Sequence, residues 1–180
     1  MRWHLDVLRF WFEELSERDW WEKSTLVDEA VRRRFGPLHD RLRREASPYG
    51  FVTVDQALAT VIALDQFPRH LFRGDRRAFA SDPLALSVAL RAINDGFDRQ
   101  LMPRRRHFLY LPLEHSEDRA VQARSVALYE AMGKAEELDY AIRHKVIVDR
   151  FGRFPHRNAI LGRPSTAAEI AFLKQPGSGF

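Results

Sequence analysis

Hydrophobic side chains recur along most of the chain at spacings of three and four residues. Near the N-terminus, Val7, Leu8, Trp11 and Leu15 share one broad face in this way, which is typical of an amphipathic helix. Hardly any segment shows the strict alternation of apolar and polar residues that marks a half-buried strand. The pattern therefore predicts an all-α protein with seven or eight helices.

Capping residues, prolines and glycines predict where these helices begin and end. Ser, Thr and Asp favour the first position because their side chains accept hydrogen bonds from unpaired backbone N–H groups, and glycine favours the end. After the first helix, we predict helices at 25–46, 53–68, 82–94, 104–111, 117–132, 136–151 and a short one after Thr166. Loops this short pack consecutive helices antiparallel. We expect one domain, 1–180, built as an array of helical hairpins.

Two similar segments, Phe-Pro-Arg-His at 67–70 and Phe-Pro-His-Arg-Asn at 154–158, each follow a predicted helix. Proline has no N–H and disfavours helical geometry in the residue before it, so each segment is predicted to form a turn. Each turn carries arginine and histidine, which helical packing does not require there. We therefore treat both turns as candidate parts of a functional site.

A carboxylate stands at the end of the most apolar predicted helix. Residues 57–64 are uncharged, and Asp65 falls on the same helical face as Leu58 and Val61. Burying a carboxylate costs several kcal/mol unless it is paired. Arg69, one turn further on, is the expected partner, and Arg73 is the next. Such a pair either pins the helix end to the following loop or orients an arginine in a pocket, and the two roles are compatible.

The segment Glu-His-Ser-Glu-Asp at 114–118 is predicted to open a helix. Ser116 fits the N-cap position, and the two acids after it interact favourably with the helix dipole. This assignment leaves Glu114 and His115 without a structural role. A Glu–His pair at a helix entrance suits general acid/base catalysis near neutral pH. The alternative is a structural histidine.

Basic and amide side chains are concentrated in the loop that holds the second Phe-Pro segment: Arg153, His156, Arg157 and Asn158. Guanidinium groups bind phosphate and carboxylate through paired hydrogen bonds, so this loop is a candidate anion site. The alternative is a loop whose arginines donate to the unpaired carbonyls at a helix end.

Charge and composition narrow the candidate functions. The formal net charge is +4, and 25 of the 29 basic residues are arginine. The 25 acidic residues are interleaved with them along the chain, which predicts solvated charged faces and argues against a nucleic-acid partner. The chain has no cysteine, so disulfides and thiolate metal sites are excluded. No motif for a metal, a cofactor or a phosphate-binding loop is present, and we predict none of these groups.

The N-terminal segment predicts the compartment. Residues 1–15 carry charged side chains among the apolar ones, so they lack the uninterrupted apolar stretch of a signal peptide. No stretch is long enough and apolar enough to span a bilayer. We expect a cytoplasmic protein with no membrane partner.

Five segments carry a resemblance to a known family. They are DVLRFWF at 6–12, LDQFPRHLFRG at 64–74, AFASDPLA at 78–85, YLPLEHSED at 110–118 and RFGRFPHRNAILGRPST at 150–166. On these segments the chain resembles the bacterial family catalogued as domain of unknown function 924. The resemblance covers nearly the full length. It implies a helical, tetratricopeptide-like fold and no activity.

Our preferred hypothesis is a polar pocket that binds a small anionic metabolite bearing phosphate or carboxylate. Its predicted catalytic residues are Glu114, His115 and His156, and its predicted ligand-binding residues are Asp65, Arg69, Arg73, Arg153, Arg157 and Asn158. A hydrolase or isomerase reaction is compatible with these groups, but no motif identifies one. The competing hypothesis is a tetratricopeptide-like module that binds a protein or peptide without catalysis.

Overall fold

The computed structural model describes residues 2–47 and 49–179, and within these ranges it is helical and contains no strand. The all-α prediction is confirmed, whereas the tetratricopeptide-like arrangement stays a prediction. The helices are α1 Trp3–Arg9, α2 Glu17–Trp21, α3 Thr25–Glu45, α4 Val54–Val61, α5 Phe67–Leu71, α6 Asp82–Asn94, α7 Pro103–Glu114, α8 Arg119–Met132, α9 Ala135–Phe151, α10 Asn158–Leu161 and α11 Ala167–Leu173.

Shorter turns of other helical types join these elements. Two π-helical turns, Phe10–Glu14 and Ile62–Gln66, continue α1 and α4, and 3₁₀ turns occupy Arg76–Phe79, Phe97–Gln100 and Pro155–Arg157. Among the described helices, none has the combined length and hydrophobicity that crossing a membrane would require.

The chain divides into two compact units. Unit 1 comprises Met1–Arg73 and Arg77–Pro112, and unit 2 comprises Gly74–Arg76 and Leu113–Phe180. The expectation that 1–180 forms a single folding domain stays a prediction.

Unit 1 is built around the apolar α4 and the π-helical turn after it. α1 and α6 pack against α4, and α3 packs against α5 and the same turn. Aromatic rings fill the space between these helices: Phe67 stacks on Phe35 with centroids 4.8 Å apart, and Trp11 meets Phe67 and Phe108 edge-on at 5.8 and 5.6 Å. All four side chains are buried, so this aromatic cluster is the core of the unit.

Unit 2 is organised by a hairpin of α8 and α9. Gly133 ends α8 with a φ of 72°, a left-handed conformation that favours glycine, and α9 begins two residues later. Apolar residues of α9, including Ile147 and Val148, pack on the buried ring of Phe154. This packing fixes the loop after α9 against the hairpin.

The prediction that Pro68 ends the third helix in a turn is wrong. Helical structure continues through a π-helical turn into α5, so Phe67, Pro68, Arg69 and His70 all lie in a helix. Pro68 occupies the first turn of α5, where its fixed φ suits a helix. Side chains of Ser81 and His39 contact the carbonyls of the preceding turn that its missing N–H does not reach.

The predicted boundary between the next two helices is also wrong. α7 continues through Pro112 to Glu114, and α8 begins only at Arg119. Asp118, and not Ser116, is the N-cap, because its carboxylate accepts from the N–H groups of Ala120 and Val121 at 2.7 and 3.0 Å. Glu114 therefore ends a helix instead of preceding one.

Candidate functional site

The predicted site residues fall into two sets. Asp65, Arg69 and Arg73 belong to unit 1. Six others belong to unit 2: Glu114, His115, Arg153, His156, Arg157 and Asn158. Each set is described within its own unit, and the pocket shared by the two Phe-Pro segments stays a prediction.

In unit 1, Asp65 is fully buried and paired as the sequence predicts. Its Oδ1 lies 3.5 Å from a terminal nitrogen of Arg69, and its Oδ2 accepts from the Gln66 amide at 2.5 Å. Arg69 also donates to the backbone carbonyl of Asp65 and to both carboxylate oxygens of Asp82, at 3.2 and 3.3 Å. Arg69 therefore joins the end of the π-helical turn to the start of α6.

Arg73 pairs with Asp28 of α3 and not with Asp65. Its Nε and one terminal nitrogen donate to Asp28 at 2.8 and 2.6 Å, and His70 Nδ1 lies 2.8 Å from the same carboxylate. Burial lowers the pKa of His70, so the ring is neutral at pH 7 and donates its Nδ1 proton to Asp28. Asp28 thus ties α3 to α5.

In unit 2, a group of ionisable side chains surrounds the C-terminal end of α7. We call Glu114, His115, His144, His156 and Arg157 the α7-end cluster. Glu114 is only 1% exposed, and its Oε2 lies 3.3 Å from His144 Nδ1. The rings of His115 and His144 are 6.4 Å apart. Two of the predicted catalytic residues, Glu114 and His115, therefore lie beside His144, a histidine that was not predicted to belong to the site.

The ring of Phe154 holds the remaining members of the cluster together. The imidazoles of His144 and His156 both lie 5.6 Å from its centroid, and Cζ of Arg157 lies 4.7 Å from it. Arg157, which is 7% exposed, also donates to the backbone carbonyl of His115 at 3.1 Å. The guanidinium is thus fixed both by the ring and by the chain just after α7.

Burial sets the charge of these imidazoles. Burial, together with a smaller effect of the positive charge of Arg157, lowers the pKa of His144 to about 3 and that of His156 to about 4. Both rings are neutral at pH 7. His144 Nδ1 faces the Tyr140 carbonyl at 2.8 Å as well as Glu114, so we assign its proton to Nδ1 and leave Nε2 as the basic nitrogen.

Arg153 is bound to α11. Its guanidinium donates to both carboxylate oxygens of Glu169 at 2.7 and 2.8 Å and to the Pro164 carbonyl at 2.9 Å. The Arg153 guanidinium lowers the pKa of Glu169 to about 2. In this conformation Arg153 fastens the start of α11 to the loop after α9.

Asn158 is fully buried, and its side-chain amide joins the start of α10 to the loop that follows this helix. Its Nδ2 donates to Ser165 Oγ at 3.0 Å, and its Oδ1 accepts from Arg163 Nε at 3.0 Å. Arg163 in turn pairs with both oxygens of Glu117, at 2.7 and 3.0 Å. Arg163 and Asn158 together close the loop that follows the second Phe-Pro segment.

His144 is the member of the cluster that the sequence reasoning missed. The signal was its helical spacing: Ala141, His144 and Val148 lie three and four residues apart and are all buried on one face of α9. A polar ring on an apolar face needs hydrogen-bond partners, as Asp65 does.

Among the described residues, no group of three or more His, Asp or Glu side chains is arranged to hold a metal ion.

A family model described as a bacterial protein of unknown function (DUF924) matches residues 7–177. The chain belongs to this family. A solved structure of a protein of unknown function from Agrobacterium tumefaciens is similar to this chain, with 38% sequence identity and a TM-score of 0.88. The alignment covers 96% of this chain and 97% of the other. The search of curated proteins finds no match. These likenesses support the DUF924 fold and assign no activity.

Proposed function

We propose that this DUF924 protein is a cytoplasmic protein that binds a small anionic metabolite, bearing phosphate or carboxylate, at the α7-end cluster. The observation that carries the proposal is the gathering of two imidazoles, His144 and His156, and the Arg157 guanidinium around one buried ring, Phe154. A third imidazole, His115, and the carboxylate of Glu114 lie beside His144. Buried ionisable groups are costly and concentrate at functional sites.

Each group has a chemical role in this proposal. Arg157 supplies a permanent positive charge for the anion. His115 and His156 are the half-buried members of the cluster, so they are the groups that a ligand would reach first from solvent. Glu114 holds the buried His144 in position. A general base works best with a pKa near the operating pH, so the imidazole of His156 gains this role when a bound anion raises its pKa.

Binding an anion beside His156 would change its charge. The ring is neutral because burial and Arg157 disfavour the imidazolium. A bound anion contributes the opposite charge and raises the pKa of the ring toward neutrality. The proposal therefore couples ligand binding to proton uptake.

Sulfate is a suitable probe because it resembles phosphate in shape and does not itself titrate near neutral pH. The experiment measures its binding by calorimetry at about pH 5.5, in buffers with different ionisation enthalpies, so that proton uptake is read directly. We expect uptake by the natural protein and none by His156→Gln. Arg157→Gln should bind sulfate at least about tenfold more weakly.

Arg124→Gln, which removes an exposed arginine of α8 in the same unit, is the matched control and should bind as the natural protein does. A first screen by melting temperature uses sulfate, inorganic phosphate and citrate, since a ligand at about a hundred times its dissociation constant stabilises by about 2.7 kcal/mol. No shift with any of the three anions would refute the proposal.

The interaction module is the second candidate, and α9 favours it. Ile142 and Val146 lie one turn apart on this helix and are 43% and 57% exposed. Adjacent exposed apolar side chains are a common feature of protein-binding surfaces. If α9 binds a peptide or protein, the double variant Ile142→Ser with Val146→Ser should no longer capture that partner. The same variant should bind sulfate as the natural protein does.

A further inference from the structure

A groove of about 650 Å³ lies between α1 and α3 in unit 1, and none of the predicted site residues lines it. Its volume is in the range of small-molecule sites. Its walls are formed by four apolar residues, four arginines and two acids: Trp3, Phe35, Pro37, Leu38, Arg9, Arg34, Arg41, Arg44, Asp6 and Glu45.

Two of the four arginines are already neutralised by carboxylates. Arg34 donates to both oxygens of Glu14 at 2.5 and 3.0 Å. Arg9 pairs with Asp6 at 3.1 Å and lies 3.7 Å from Glu14. Arg34 thus ties the turn after α1 to α3, whereas Arg9 pairs within the N-terminal segment, and both arginines have little charge left for a ligand.

The other two, Arg41 and Arg44, have no carboxylate within ion-pair distance among the residues that the structure describes. They are three residues apart on α3, so their side chains are neighbours on one face. The dipole of a helix favours cations in its last turn, but two adjacent guanidiniums still repel each other. An anion bound by both would relieve this repulsion.

The apolar part of the groove lies on the same two helices. Trp3 is on α1, and Pro37 and Leu38 lie one turn before Arg41 on α3. A flat or aliphatic group packed there would place an attached anionic group beside the two arginines. This combination selects a molecule with an apolar body and a charged end.

We propose that the groove binds an amphipathic anion, with an aromatic body against Trp3, Pro37 and Leu38 and a carboxylate, phosphate or sulfonate on Arg41 and Arg44. The groove shares no residue with the α7-end cluster, so this site is separate from the one in the proposed function. If ligand binding fails at one of the two sites, binding at the other can still be tested.

The experiment uses the fluorescent sulfonate 8-anilinonaphthalene-1-sulfonate with the full chain. We expect saturable binding that Arg41→Ala with Arg44→Ala weakens by about tenfold or more. The control is Arg32→Ala with Arg33→Ala, which removes the same charge from exposed positions of α3 outside the groove. It should bind as the natural protein does.

Two further measurements separate the parts of the ligand. Trp3→Ala should weaken binding of the sulfonate, because Trp3 forms part of the apolar wall of the groove, and inorganic phosphate should compete with the sulfonate. Equal weakening in the two double-arginine variants would show only diffuse charge and overturn the proposal. Equally tight binding of uncharged 1-naphthol, or no saturable binding at all, would also overturn it.

Discussion

The hydroxyl of Ser81 donates to the backbone carbonyl of Leu64 at 2.7 Å, and Pro68 explains why a side chain is needed there. In an α-helix the carbonyl of Leu64 would accept from the N–H of residue 68, which proline lacks. In π-helical geometry the carbonyl of Ala63 would accept instead, and His39 Nδ1 lies 3.0 Å from it. Two side chains thus contact the two carbonyls that an N–H at position 68 could have reached.

Ser81→Ala tests this arrangement. Ser81 is 1% exposed, so the variant leaves a buried carbonyl without a donor and should lower the free energy of unfolding by about 1 to 3 kcal/mol. Thr60→Val is the control, because the Thr60 hydroxyl donates to the Gln56 carbonyl within a regular helix and its loss leaves the backbone partner in place. Urea denaturation measures both. Equal destabilisation by the two variants would contradict the role assigned to Ser81.

Much of the fold could be predicted because its signals are local. Thr166 and Glu169 form the capping box that opens α11, and Gly152 ends α9 in the left-handed conformation. Asp65 and Arg69 are one helical turn apart, so their pairing follows from spacing alone. Each of these features depends on residues within about one turn of each other.

The remaining features depend on segments that are distant in sequence. Arg73 binds Asp28, 45 residues earlier, because α3 packs against α5, and spacing could not indicate that. His144 meets Glu114 in the same way. The π-helical turn also cannot be predicted from the hydrophobic periodicity, because one extra residue in a helical pattern shifts every later side chain by about 100°. Tertiary packing, rather than local preference, decides these contacts.

Gln122 stabilises the end of α7, and its replacement should show how strongly. Its amide nitrogen lies 2.6 Å from the Glu114 carbonyl, 2.7 Å from that of Ser116 and 3.3 Å from that of Leu113. In Gln122→Glu a carboxylate would face these carbonyls without a proton to donate. We expect a loss of about 3 kcal/mol or more in the free energy of unfolding, measured in urea at neutral pH.

The same variant has an internal check. Protonation of the new carboxyl restores a donor, so the difference from the natural protein should shrink as the pH falls. Ala123→Glu places a carboxylate on the exposed face of the same helix and should change stability by less than about 0.5 kcal/mol. A loss for Gln122→Glu no larger than that of Ala123→Glu would refute the capping role.

Asp28 should be far more important for stability than an exposed aspartate in a similar pair. Arg73 and His70 both donate to it, and together they outweigh burial and hold its pKa below the usual value. Asp28→Asn should therefore cost about 2 kcal/mol or more. The control Asp6→Asn breaks the exposed pair with Arg9 and should cost less than about 1 kcal/mol. Comparable losses in urea denaturation would contradict a tie between α3 and α5 through Asp28.

His144 should make stability fall in mild acid. Its pKa is about 3 in the folded protein because of burial, whereas an unfolded histidine titrates near its ordinary value of about 6.5. Between these values the unfolded chain binds a proton that the folded one does not, so stability is fully present above about pH 6.5 and decreases as the pH falls toward about 3. This group alone should remove about 1.4 kcal/mol between about pH 7.5 and 5.5. His144→Gln keeps a donor for the Tyr140 carbonyl and cannot titrate, so its stability should fall by that much less over the same interval. Parallel curves of unfolding free energy against pH for the two proteins would show that His144 is not the buried neutral imidazole described here.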